Sequence, residues 1–208
     1  LGCYIEWTGS ELNETVTITA DSSGIITLYS GTQPMGQGIA TSYLQIFSEQ
    51  LQIPVKQLKV VQGDTDLVEG HGSVGSRSLF VGGNAILRGI EDFLEECKQL
   101  AASELEASVE DLEYHQGNFQ VKGTRVGIGI FDLCSRQSDN SISVKRKKEL
   151  TGRSWPNGCH VAEVEIDAET GEVRLDRYVS VDDVGNTVNP MIVHGQVQGG
   201  IASGLGQA

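Results

Sequence analysis

The chain has 208 residues, 38% of them hydrophobic, enough to bury one core or two small ones, so one globular domain or two lobes of one is expected. Its 28 acidic residues against 15 basic give a formal net charge of -13, which repels nucleic-acid phosphates and anionic membrane surfaces and argues against both as partners. No stretch reaches the roughly 18 consecutive apolar residues of a membrane-spanning helix, no secretory pattern is present, and a cytoplasmic location is expected. Cys3, Cys97, Cys134 and Cys159 are widely spaced without a C-x-x-C pair and read as reduced structural thiols. Glycine, at 26 of 208 against a usual level of about 7%, clusters beside predicted helix starts, where backbone must turn tightly or approach a ligand. Leu1 in place of an initiator Met, and an apolar helical pattern running uncapped to Ala208, read as a segment of a longer chain.

In chain order, alternation in Glu14 to Thr19 and in Ile25 to Tyr29, around Asp21-Ser22-Ser23-Gly24, predicts a β-hairpin. Apolar residues Ile39, Tyr43, Leu44, Phe47 and Leu51 recur at helical spacing and end before Pro54. Leu58 to Gln62 reads as a short strand, Gly63 to Gly75 as a polar loop, and about Ser78 to Leu105 as a helix carrying Ile86, Ile90, Phe93, Leu94, Cys97 and Leu100 to a core. Leu112 to Val121 reads as a hairpin turning at Gly117-Asn118, Val126 to Leu133 as a strand or short helix, and Gln137 to Trp155 as a surface loop in which Lys145 to Lys148 and Arg153 are solvated. Cys159 to Asp167 and Glu172 to Val181 are strands turning at Ala168 to Gly171, and the loop Asp182 to Pro190 leads to a helix from near Val193. The pattern of strand, loop, Gly-Gln pair and apolar helix occurs twice, at Ile25 to Leu51 and at Val173 to Ala208, which suggests two similar lobes facing one ligand. The fold class is α+β: small mixed sheets with helices packed on one face, in two lobes of about 1–155 and 156–208.

Three motifs stand at helix mouths. Gly31-Thr32-Gln33-Pro34-Met35-Gly36-Gln37-Gly38 is near the phosphate loop of nucleotide triphosphatases, but Gln37 and Gly38 replace its Lys and hydroxyl residue, which removes the charge and the magnesium ligand a triphosphate needs. A neutral amide suits a heterocycle or an oxo group; a Gln that only caps the helix is the plainer alternative. Gly72-Ser73-Val74-Gly75-Ser76-Arg77-Ser78 offers hydroxyls, backbone amides and one guanidinium as a phosphate cradle, or an N-capping serine beside an exposed Arg. Gly195-Gln196-Val197-Gln198-Gly199-Gly200 permits close approach to a ligand or to a packed helix. Asp64, Asp66, Asp182 and Asp183 are explained by turn formation, and His71 and His194 lack partners at metal-ligand spacing.

Taken in order, G-T-Q-P-M-G-Q-G, G-D-T-D with G-S-V-G-S-R-S, D-D-V-G-N-T-V-N-P and G-Q-V-Q-G-G-I-A-S-G-L-G-Q-A make the chain resemble the molybdopterin-binding large subunit of the xanthine dehydrogenase and aldehyde oxidase family. The resemblance spans essentially all 208 residues, including the Tyr4-Ile5-Glu6-Trp7-Thr8-Gly9 opening, and matches an interior portion of a longer subunit, nearer to carbon monoxide dehydrogenase-like and isoquinoline oxidoreductase-like proteins than to the animal enzymes. It implies a two-lobed molybdenum-cofactor-binding domain in which Gly36, Gln37, Gly38, Ser73, Gly75, Ser76, Arg77, Ser78 and Gln196 contact the molybdopterin, of which the cytosine dinucleotide form is one version. It implies no catalytic residue and no side-chain metal ligand here: the family's catalytic glutamate belongs to a Val-Gly-Glu motif beyond Ala208. The implied partners are the rest of the molybdenum subunit, modules or subunits carrying 2Fe-2S and FAD within an oligomeric enzyme, and a small-molecule substrate. The implied reaction is hydroxylation of an aldehyde or N-heterocycle carbon with oxygen from water; the alternative is a non-catalytic scaffold or regulatory member of the same fold. The substrate is not legible.

Overall fold

A computed structural model describes residues 1–208. Every second residue of β2 (Asn13–Asp21), namely Glu14, Val16, Ile18 and Ala20, is buried, as alternation dictates for a sheet covered on one face. The Asp21–Gly24 turn sends the chain antiparallel into β3 (Ile26–Ser30), and Asp21 fixes the turn by accepting from the Ser23 N–H at 2.8 Å. Helix α1 (Ile39–Leu51) follows, and β4 (Leu58–Gln62) pairs parallel to β3, so α1 is the crossover of a β-α-β unit. A wide π-helical turn, Ser78–Gly82, leads into α2 (Gly83–Glu104), whose Ile86, Ile90, Phe93 and Cys97 pack into the core with Tyr43, Phe47 and Leu51 of α1.

The hairpin of β5 (Leu112–His115) and β6 (Asn118–Val121) turns at Gln116 and Gly117, one residue earlier than the sequence reading. Both have positive φ, 47° and 81°, the conformation a two-residue hairpin loop of this twist requires, so Asn118 is already in the strand. Val126 to Leu133 resolves into both alternatives: β7 (Gly127–Gly129), which joins β6, then α3 (Ile130–Ser135).

The expected surface loop after Gln137 is mostly a strand. β8 (Ser141–Glu149) pairs with the whole length of β2, giving the sheet order β4-β3-β2-β8. Ile142 is buried and Val144 packs against the core, while Lys145 and Lys147 stay in water, Lys148 is half-buried and Arg146 meets Asp92 of α2 at 2.6 Å. A lysine-rich strand is a normal edge, because its charges discourage further pairing, and the same lysines hide it from a periodicity search.

β9 (Asn157–Ile166) and β10 (Val173–Asp183) form the second sheet with β1 (Gly2–Ile5), order β1-β9-β10, and α4 (Pro190–Gln207) starts three residues before the sequence reading, with Asn189 accepting from the Ile192 N–H at 3.2 Å. The chain's first strand therefore belongs with residues 157–183, across the lobe boundary drawn at 155/156. The register also brings Cys3 against Cys159, Sγ to Sγ 3.4 Å, although they are far apart in sequence. The fold is α+β with small sheets, as expected. No helix is long and apolar enough to cross a membrane.

Where the loop after β4 crosses the loop after β3, Gly31 and Gly70 touch backbone to backbone: a Cβ on Gly70 would lie 2.3 Å from Gly31 Cα. Neither loop can retreat, because Gly72 N–H donates to the Gly31 carbonyl at 3.1 Å. Gly70→Ala should therefore destabilise the protein by about 1–3 kcal/mol, the cost of overpacking a fixed contact, read as a lower urea midpoint at unchanged m-value.

Candidate functional site

A cleft of about 800 Å³ opens between the lobes, inside the range of small-molecule and cofactor sites. The first lobe contributes the glycine-rich loop before α1, with Met35 and Gln37, and the serine loop before α2, from Ser73 to Ser78. The second contributes Asp183, Val184 and Gly185 after β10, and Ile192, Val193, Gln196 and Val197 of α4. Contact between the lobes sets the cleft's width: Ile192 packs so closely on Gly38 that a Cβ there would lie 2.8 Å from Ile192 Cδ1, and Asn189 Nδ2 donates to Gln45 Oε1 at 2.9 Å.

Of the nine residues expected to touch a cofactor, Gln37, Ser73, Gly75, Ser76, Ser78 and Gln196 line this one cleft, and Gly36, Gly38 and Arg77 do not. Gln37 braces its own loop, its Oε1 accepting from the Met35 N–H at 2.6 Å and its Nε2 donating to the Gln33 carbonyl at 2.9 Å; one N–H and a lone pair remain for a ligand. Gly36, with φ 87°, has open space around it, and Gly38, with φ 75°, is the N-cap of α1. Ser73 ties the two loops together: its hydroxyl donates to the Gln33 carbonyl at 2.7 Å and accepts from the Gln33 N–H at 2.9 Å and from Ser78 Oγ at 2.7 Å. Ser76 is exposed at φ 54°, a left-handed conformation that costs a non-glycine residue of order 1 kcal/mol, and Gln196 is exposed on the first turns of α4.

Arg77 departs from its expected role. Its side chain is fully buried and faces away from the cleft: Nη1 meets Glu14 Oε2 at 2.8 Å and the Gly72 carbonyl at 2.7 Å, Nη2 the Asn13 carbonyl at 2.6 Å, and Nε the Glu11 carbonyl at 3.2 Å. With those donors engaged, the guanidinium is closed to a phosphate; it holds the serine loop in place. Glu14, in a strand pattern that reads as plain alternation, was invisible as its partner because the two lie 63 residues apart.

Asp182 also departs from its expected role. It accepts from Tyr4 OH at 3.0 Å and pairs with His160 Nε2 at 2.9 Å, while His160 Nδ1 meets Tyr178 OH at 2.8 Å, so one carboxylate bridges all three strands of the second sheet. The His160 hydrogen bond, and secondarily that of Tyr4, holds the Asp182 carboxyl below the usual range. Asp183 makes a turn, as expected, accepting from the Gly185 N–H at 2.9 Å. Ser42, Ser154 and Trp155, unmarked by any motif, and Thr8 of the Tyr4–Gly9 opening also line it.

The lining holds six hydroxyls, two side-chain amides, one carboxylate already turned onto its own loop, and no lysine or arginine. Positive potential comes instead from α1 and from the turn leading into α2, both of which start at the cleft without a side-chain cap and leave first-turn N–H groups to a ligand. That donor set suits a polar heterocycle bearing a phosphate, the chemistry of a pterin cofactor.

A family model described as a molybdopterin cofactor-binding domain matches residues 1–208. The chain is 31% identical over 218 residues to the 6-hydroxypseudooxynicotine dehydrogenase complex subunit gamma of Paenarthrobacter nicotinovorans, covering 100% of this chain and 28% of that protein. It is 32% identical to the carbon monoxide dehydrogenase large chain of Hydrogenophaga pseudoflava, covering 86% and 23% respectively. Its structure matches quinoline 2-oxidoreductase from Pseudomonas putida 86 with a TM-score of 0.84 at 29% identity, covering 99% of this chain and 29% of that one. The chain thus spans less than a third of the length of these relatives.

The buried pair behind the cleft is testable. Glu14→Ala strands the Arg77 charge and should cost about 3–5 kcal/mol in urea unfolding, whereas Arg88→Ala, which breaks the exposed Arg88–Glu91 pair, should leave the urea midpoint nearly unchanged.

Proposed function

The chain belongs to the molybdopterin cofactor-binding domain family, and we propose that the cleft between its lobes is the cofactor site of a molybdenum hydroxylase-type oxidoreductase. The observation that carries this reading is the convergence on one cleft of Gln37 and Ser76, from the two helix mouths before α1 and α2, and of Gln196, from within α4. Gln37 and Gln196 line the same cleft from different elements and would hold the ring system through amide hydrogen bonds. Ser76, with the open N–H groups at the start of the α2 turn, would take the phosphate end, while Ser73 and Ser78, whose hydroxyl protons go to the Gln33 carbonyl and to Ser73, hold that loop in shape. Arg77 acts behind them, and Gly36 and Gly38 act through the shape of the loop. When bound, the group supplies two-electron chemistry at molybdenum, which the family's larger enzymes direct at a carbon atom with oxygen from water. This chain's share is to hold, orient and partly enclose it.

In this reading the remaining parts of the site come from the rest of a longer molybdenum subunit. The 2Fe-2S and FAD groups sit on other domains or subunits of an oligomeric enzyme, the cytosine dinucleotide is one form of the cofactor, and the location is cytoplasmic. The names of the relatives support the class, since one is a subunit of a dehydrogenase complex and another a carbon monoxide dehydrogenase large chain.

In the full-length protein, Gln37→Ala and Gln196→Ala should each lower retained molybdenum and pterin, by elemental analysis and fluorescence of released pterin. The loss expected is about 2- to 10-fold in affinity, the consequence of one hydrogen bond of about 0.5–1.5 kcal/mol. Wild-type occupancy in both variants would remove the basis of the proposal, and a wild-type protein free of molybdenum would favour a scaffold.

A further inference from the structure

The wide turn Ser78–Gly82 places Ser78, Leu79 and Phe80 on the cleft wall, yet its geometry is not that of the α-helix it introduces. In an α-helix the Gly82 N–H would bond the Ser78 carbonyl; here it reaches back to the Arg77 carbonyl at 3.4 Å, which also accepts from the Val81 N–H at 2.7 Å. The Ser78 carbonyl is met instead by a side chain from another helix. Tyr43 OH of α1 donates to it at 2.5 Å. Tyr43 is fully buried, and burial pushes its phenol above the usual range, so the hydroxyl stays a proton donor at any working pH.

Gly82 is the complement of that contact, since a Cβ there would lie 2.0 Å from Tyr43 OH. Arg77 fixes the residue before the turn through its four contacts, and Gly83 resumes the α-helix after it. Turns of this width sit in a helix at a cost and recur at functional sites, where they re-aim backbone groups. We infer that Tyr43 is a positioning residue for the cofactor cleft: its hydroxyl holds the Ser78 carbonyl and keeps the turn Ser78–Gly82 in the form that presents Ser78, Leu79 and Phe80 to the ligand. It touches no ligand itself, since it is absent from the lining. The inference rests on the cofactor reading above.

The test is Tyr43→Phe in the full-length protein, which keeps the ring and removes only the donor. Ile90→Val, a core change farther along α2, is the control for general loss of stability. Two quantities are read: amide hydrogen exchange at Ser78–Gly83 in cofactor-depleted protein, and the rate at which pterin leaves the loaded protein. Tyr43→Phe should speed both roughly tenfold, the fold-change one lost hydrogen bond produces, while Ile90→Val leaves pterin release unchanged. Wild-type exchange and release in Tyr43→Phe, or equal release from both variants, would overturn the inference. Pterin missing from the wild-type protein would overturn the cofactor reading and with it this role. Faster exchange in that case would still show that the hydroxyl holds the turn, which tells the two failures apart.

Discussion

A fully buried ion pair, Arg77 with Glu14, stands behind the cleft and joins three pieces of chain that share no sequence neighbourhood. Glu14 begins the central strand β2, and its second oxygen accepts from the Thr15 N–H at 3.0 Å. Arg77 ends the loop that carries the serines, and reaches the carbonyls of Glu11, Asn13 and Gly72. Gly31 packs onto Glu14 Oε1 and Gly70 with no room for a side chain. Burying two charges is expensive, and such a pair contributes little net stability over an apolar substitute. Its value lies in geometry: a guanidinium with several donors engaged admits a single placement of the loop, which an apolar contact would not enforce. The strained Ser76 and the wide turn after Arg77 persist because this anchor over-determines the backbone on either side of them.

The second lobe has a corresponding, weaker anchor. Asp182 collects Tyr4 and His160 over Gly158, whose missing side chain lets the Tyr4 ring lie across the strand. The residues after Asp182 enter the cleft at once, so the end of β10 is fixed where its loop begins. Each lobe therefore fixes its own wall with a carboxylate held by cationic or aromatic donors. The gap between walls is set separately, by Ile192 on Gly38 and Asn189 on Gln45.

Legibility in the sequence followed the range of the interactions. The first hairpin, α1, β4, the body of α2 and the β9–β10 pair are local or periodic, and their residues announce them, although the helix read from Ser78 becomes a true α-helix only at Gly83. The helix mouths before α1 and α2 were also readable, because a glycine-rich turn directly before an apolar helix leaves free N–H groups at the helix start, whereas the Gly195–Gly200 run lies inside α4, which begins at Pro190 behind the Asn189 cap. What depended on contacts distant along the chain was not readable. Arg77 turns inward to Glu14, 63 residues away; β1 pairs with β9 across more than 150 residues; β8 forms because β2 offers it an open edge, despite lysines that point to a loop. Tyr43 occupies a proper core position of an amphipathic helix, and nothing in that pattern distinguishes a buried ring from a buried ring whose hydroxyl has a task.

The net charge of -13 sets a further constraint on how such a site can hold an anionic group. Long-range repulsion would oppose a phosphate, but at physiological salt it is screened within about 8 Å, so only groups at the cleft itself decide. A lysine or arginine in the lining would bind the phosphate by charge, at almost any orientation. Uncapped helix starts and fixed hydroxyls bind it only where the N–H groups point. The only guanidinium in the three motifs is spent on holding backbone, so the arrangement exchanges raw affinity for orientation. That is the exchange a cofactor site needs when the reacting atom lies at the far end of the ligand from the phosphate, because a small rotation at the anchored end displaces the other end most.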